Sequence, residues 1–76
     1  MFARIISDPA ILGGKPIVQG TRLSVEFILE LIASGASRED IVRAYPQLSE
    51  ADVEEAVRYA MHGLKNEVLL TAPVLP

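Results

Sequence analysis

Cysteine is absent from the 76 residues, and histidine occurs once. The first absence excludes disulfides and thiolate metal ligation, and a lone His62 cannot furnish a zinc site, so neither common staple of a very small protein is at hand. Also missing is any run of about 18 uncharged apolar residues, and the opening Met-Phe-Ala-Arg-Ile-Ile-Ser-Asp lacks a long apolar core, so membrane spanning and secretion are not expected and a cytoplasmic location follows. Basic residues are the minority, seven against ten acidic, for a net charge of -3. That is the wrong sign for gripping nucleic acid through total charge, so any DNA contact has to come from a local patch.

What the chain does have is apolar content: half of its residues, with a mean hydropathy of +0.31. A chain of this size buries only about 60% of the surface its unfolded form exposes. With the other staples gone, association remains, and a homo-oligomer, dimer or larger, is expected to cover the surplus apolar surface.

Residues 1–76 read as a single domain with three parts. Over residues 1–23, short apolar runs alternate with turn residues, Asp8-Pro9, Gly13-Gly14-Lys15-Pro16 and Gln19-Gly20, which implies an extended arm with a hairpin. Gln19-Gly20 separates Ile17-Val18 from Thr21-Arg22-Leu23 by the length of a tight turn, although glutamine is a poor first residue for the primed turns that hairpins favour.

Residues 24–66 change to helical periodicity. Ser24 is placed to cap a first helix with Val25, Ile28, Leu29 and Ile32 on one face and Phe27 and Leu31 on a second stripe, and Gly35 is placed to end it. Ser37 with Asp40 opens a short second helix whose core face is Ile41, Ala44 and Tyr45, stopped by Pro46. Ser49 with Asp52 opens the third and longest helix. Its face Val53, Ala56, Val57, Ala60, Met61, Leu64 and Val68 carries it through Gly63 to about Asn66, the competing end being Gly63 itself. Residues 67–76 form an apolar, proline-broken tail expected to dock on something.

The fold class is therefore mainly α: a three-helix, helix-turn-helix-like domain with a short N-terminal β-hairpin arm. A short second helix, a four-residue connection and a longer third helix have the dimensions of that DNA-binding motif, although many three-helix domains bind no DNA. The outward positions in the first turns of the third helix are Glu50, Asp52, Glu54 and Glu55, which would repel phosphates in the usual docking mode. Lys15, Thr21 and Arg22 of the arm, with Arg38 and Arg43 of the second helix, are accordingly the candidate DNA-contacting residues. The plain alternative is that each is a solvated surface side chain.

Gly13-Gly14-Lys15 is not a nucleotide-phosphate loop, because the preceding glycine is missing and Pro16 stands where a magnesium-binding Ser or Thr belongs. No nucleophile, base and orienter can be assembled around His62, and the carboxylates cluster at helix starts. Neither enzymatic activity nor a cofactor is expected.

The stretch from Ile6 to Val25, with Asp8-Pro9, Gly13-Gly14-Lys15-Pro16 and Gly20-Thr21-Arg22, followed by Gly35 and Tyr45-Pro46, resembles the domain of unknown function 433 family. Ser24 stands where many members carry proline at the first helix start. The resemblance implies a homeodomain-like fold and similarity to antitoxins that pair with a PIN-like nuclease toxin, and it brings no catalytic residues. Under that reading the folded part dimerises and contacts operator DNA, while Val68, Leu69, Leu70, Val74 and Leu75 of the tail hold the toxin. The alternatives are a protein-protein interaction module without DNA binding, and a structural dimer whose tail packs on its mate.

Overall fold

A computed structural model describes residues 2–65 of the chain. Its elements run β1 (Ile5–Ser7), a single 3-10 turn (Leu12–Gly14), β2 (Pro16–Val18), α1 (Val25–Ala33), α2 (Arg38–Ala44) and α3 (Glu50–Gly63). Three helices and a two-stranded antiparallel hairpin make the described residues mainly helical. None of the described helices is long and apolar enough to cross a membrane. The tail positions Val68, Leu69, Leu70, Val74 and Leu75, and Asn66 at the expected end of the third helix, lie outside the described residues.

The hairpin differs in its pairing from the expected one. β2 pairs with β1 in the register Ile5 with Val18, Ile6 with Ile17 and Ser7 with Pro16. Gln19-Gly20 does form a tight turn, closed by the Thr21 N–H donating to the Val18 carbonyl at 3.0 Å. Of its two central residues only Gly20 has a positive φ, +84°, as in a type II rather than a primed turn. Turns of that hand splay the chains that follow them. The expected second strand at Thr21-Arg22-Leu23 consequently shrinks to one bridge between Ile17 and Ser24.

The helix ends follow the serine and glycine signals. The Ser24 hydroxyl accepts the Phe27 N–H at 2.9 Å, and reciprocal capping boxes join Ser37 with Asp40 and Ser49 with Asp52. After α1, Gly35 takes φ +103°. The Gly35 and Ala36 amides there donate back to the Ile32 and Leu31 carbonyls, a Schellman closure that a residue with a Cβ would strain.

One core joins both strands and the three helices: Ile5 and Val18 from the hairpin, Val25 and Ile28 from α1, Ile41 from α2, Leu48 from the turn before α3, and Val53 and Ala56 from α3. The arm is fastened to α3 as well. Phe2 meets Tyr59 edge-on at 5.5 Å between ring centroids and leans on His62. Arg4 pairs with Asp52 at 3.1 Å, and its backbone amide donates to Glu55 at 2.6 Å.

Two parts of the expected core are corrected. Ala44 is exposed. The apolar face of α3 is buried at Val53 and Ala56 and half-buried at Val57 and Ala60, but Met61 is 62% and Leu64 44% exposed. Length explains the second point. α1 has nine residues and α3 fourteen, roughly 14 Å against 21 Å of helix, so the last turns of α3 outrun the helix that covers it. Leu64 keeps helical angles (φ -61°, ψ -43°) beyond Gly63.

Candidate functional site

Of the five residues singled out for DNA contact, four are engaged by groups of the chain itself. Thr21 is committed to the turn, its hydroxyl donating to the Val18 carbonyl at 2.8 Å and accepting the Leu23 N–H at 3.0 Å. Lys15 pairs with Glu26 at 3.0 Å, Arg43 with Asp40 at 3.3 Å, and Arg38 with Glu54, which Arg58 also approaches. The Asp40 carboxyl lies below its ordinary value because the Ser37 backbone N–H donates to it, with the Ser37 hydroxyl and then Arg43 adding to the effect. Arg22 alone among the described arginines has no carboxylate partner. Lys15 and Arg22, which the sequence allows to point the same way, border different clefts.

The acidic start of α3 also differs from its appearance in the sequence. Asp52 and Glu55 do not face outward; their side chains are 13% and 15% exposed and are clasped by Arg4. An aspartate three residues into a capped helix turns back to its own cap, which carries it out of the outward set. Glu54 lies between Arg38 and Arg58, leaving Glu50 as the open carboxylate of that turn.

Around Arg22 the chain builds a cleft of about 280 Å³ from four places: Leu12 of the 3-10 turn, Arg22, Leu23 and Ser24 of the link into α1, Phe27 of α1, and Tyr45 at the end of α2. Each is positioned by local rules. Pro46 excludes Tyr45 from the helical region, and Tyr45 takes φ -126°, ψ 80°, which brings its ring edge-on to Phe27 at 5.5 Å and 90°. Ser24, as cap of α1, places Phe27 one turn in. Arg22 follows the Thr21 turn directly.

Leu12 is the unusual member. Its φ is +51°, and Gly13 and Gly14 follow at +66° and +88°. Left-handed backbone is ordinary for glycine but costs a leucine about 1–2 kcal/mol. The side chain so placed is not buried but 46% exposed at the cleft. Backbone strain of this kind is most often found at ligand clamps and active sites, which makes Leu12 a candidate member of the site.

The cleft can hold an apolar or aromatic group against Phe27, Tyr45 and Leu12 while Arg22 meets an anion beside it. Sequence reasoning found Arg22 and missed Leu12, Phe27 and Tyr45 as its companions. The available signal was the second apolar stripe of α1, more than a core this small can cover. Nothing in the sequence marks Leu12 as left-handed.

The model of a family described as "Protein of unknown function (DUF433)" matches residues 5–60. An uncharacterized protein of Sinorhizobium fredii, y4eO, is 39% identical over 56 residues, covering 74% of this chain and 25% of that protein, so the chain spans a quarter of that relative's length. The crystal structure of a DUF433 member from Anabaena variabilis superposes with a TM-score of 0.76 at 24% identity, over 83% of this chain and 62% of the other, a likeness of fold.

Proposed function

The chain belongs to the DUF433 family, and on that footing we propose that it is a non-enzymatic recognition module of the antitoxin type, which holds a partner protein at the Arg22 cleft. The observation that carries this reading is the pairing of an uncommitted guanidinium with an apolar and aromatic pocket. Arginine and tyrosine around a small pocket are the usual composition of a protein-protein hot spot. A phosphate backbone needs no such pocket, and the other candidate cations already face carboxylates. The partner segment presents an apolar or aromatic side chain next to an aspartate or glutamate. A PIN-like nuclease toxin encoded beside this chain is the first partner to try, and the tail from Val68 to Leu75 supplies a second point of attachment.

The test is the affinity of the full chain for the product of the adjacent gene, measured by calorimetry. Arg22→Ala and Tyr45→Ala should each weaken binding by about 30-fold, the effect of losing a hot-spot residue. Equal affinity of both variants and the parent contradicts the reading.

A second reading, operator DNA binding, is favoured by a different observation. α2, the turn Pro46-Gln47-Leu48-Ser49 and α3 have helix-turn-helix proportions, and the turning of Asp52 and Glu55 onto Arg4 lowers the negative charge such a surface would present. Affinity for the chain's own promoter across a salt series decides it: a steep salt dependence that flattens when Arg22, Arg38 and Arg43 are replaced supports DNA contact. Absence of any sequence preference removes it.

A further inference from the structure

We infer that the cleft between α1 and α3, on α3's last turns, is the face through which two copies of this chain associate. It holds about 270 Å³ between Leu29 of α1 and Tyr59, Ala60 and Gly63 of α3, with the side chains of Lys15 and Glu26 standing in solvent beside it. It is a different surface from the Arg22 cleft and of different chemistry. There an uncommitted positive charge calls for an unlike partner. Here the two charges are opposite and adjacent.

Self-complementarity identifies the occupant. A two-fold contact presents the same surface from both sides, so each feature must find its complement within that one surface. This cleft meets the condition twice. Lys15 and Glu26 are paired at 3.0 Å within one copy, and a two-fold axis passing between them lets each exchange partners with the other copy. The large Leu29 and Tyr59 stand beside the small Ala60 and Gly63, a projection next to a recess. A Cβ added at Gly63 would meet no atom of the described residues within 4 Å, so among them that recess is open. The same last turns of α3 also expose Met61 and Leu64, apolar side chains that a second copy can cover. A chain of 76 residues without cysteine also has the most to gain from covering them.

The experiment is sedimentation of the full-length chain from low to high micromolar concentration. The parent should sediment at twice 8.2 kDa. Gly63→Gln, which puts a polar side chain into the open recess while favouring helix, should shift the equilibrium toward monomer by about tenfold or more with an unchanged circular dichroism spectrum. Lys15→Glu and Glu26→Lys should each weaken self-association, because each places like charges across the axis. Mixed in equal amounts, those two variants should form the heterodimer, which separates contacts between copies from the pair within one copy. A monomer at every concentration overturns the inference, as does a dimer that none of these changes affects. A monomer whose melting temperature falls on Gly63→Gln would also overturn it, and would assign the cleft to the chain's own tail.

Discussion

The two halves of α3 belong to the same helix and do opposite things. Toward its start all but Glu50 of the polar features are used: Ser49 and Asp52 close the cap, Arg4 clasps Asp52 and Glu55, Arg38 and Arg58 flank Glu54, and Val53 and Ala56 are buried. Toward its end Met61 and Leu64 face solvent, no described residue stands over Gly63, and Leu29 of α1 and Tyr59 of α3 line a cleft. The contrast follows from a short helix packed on a long one. It teaches that an apolar stripe of constant spacing need not have one purpose: its covered part holds the fold together, and the overhang is free for contacts.

The contrast is broken most forcefully by cavity-making substitutions at the two ends. Val53→Ala should cost about 2–4 kcal/mol, a large part of what a domain this small possesses. Leu64→Ala in dilute protein should stay within about 0.5 kcal/mol. Urea unfolding of both variants measures the difference, and equal losses would show that the overhang is part of the core after all.

A smaller effect tests the fastening of the arm. Arg4→Ala should destabilise by about 1 kcal/mol, the upper end for exposed ion pairs, because the arginine is half in solvent while both carboxylates are mostly covered. Hydrogen exchange should speed up at β1 and at the start of α3, and leave the last turn of α3 unchanged.

Leu12 gives an effect of the opposite sign. Leu12→Asn, a residue that tolerates left-handed backbone, should hold or raise stability by up to about 1 kcal/mol while weakening partner binding. Loss of stability without loss of binding would make Leu12 a packing residue.

The smallest effect is at Asp40. Its carboxyl is held below the ordinary aspartate value by the Ser37 backbone N–H, and a group depressed by folding contributes stability at pH values above its unfolded value and loses it as pH falls through the folded one. Carbon NMR of the Asp40 carboxyl should therefore show a midpoint below that of an unfolded aspartate, returning toward it in Ser37→Ala.

Much of the fold is legible in the residues because the punctuation is local. Ser24, Ser37 and Ser49 each satisfy amides within the next turn, Gly35 ends α1 by a conformation only glycine takes freely, and Pro46 acts on its immediate neighbour. What is not legible depends on distance along the chain. The pairing of β2 with β1 is decided across an eight-residue loop rather than at Gln19-Gly20. Arg4 reaches Asp52 and Glu55 across most of the sequence, so the acidity of α3 misleads when read from spacing alone. Of the candidate site, Arg22 is visible as a basic residue beside a turn. Its isolation is visible only once Lys15, Arg38 and Arg43 have found their carboxylates.

The most direct measurement is an NMR footprint of the partner on the full chain, using the product of the adjacent gene as titrant. The largest shifts are expected on Leu12, Arg22, Phe27 and Tyr45. A footprint confined to Arg38, Arg43 and the outer face of α2, with the Arg22 cleft unperturbed, would contradict that expectation.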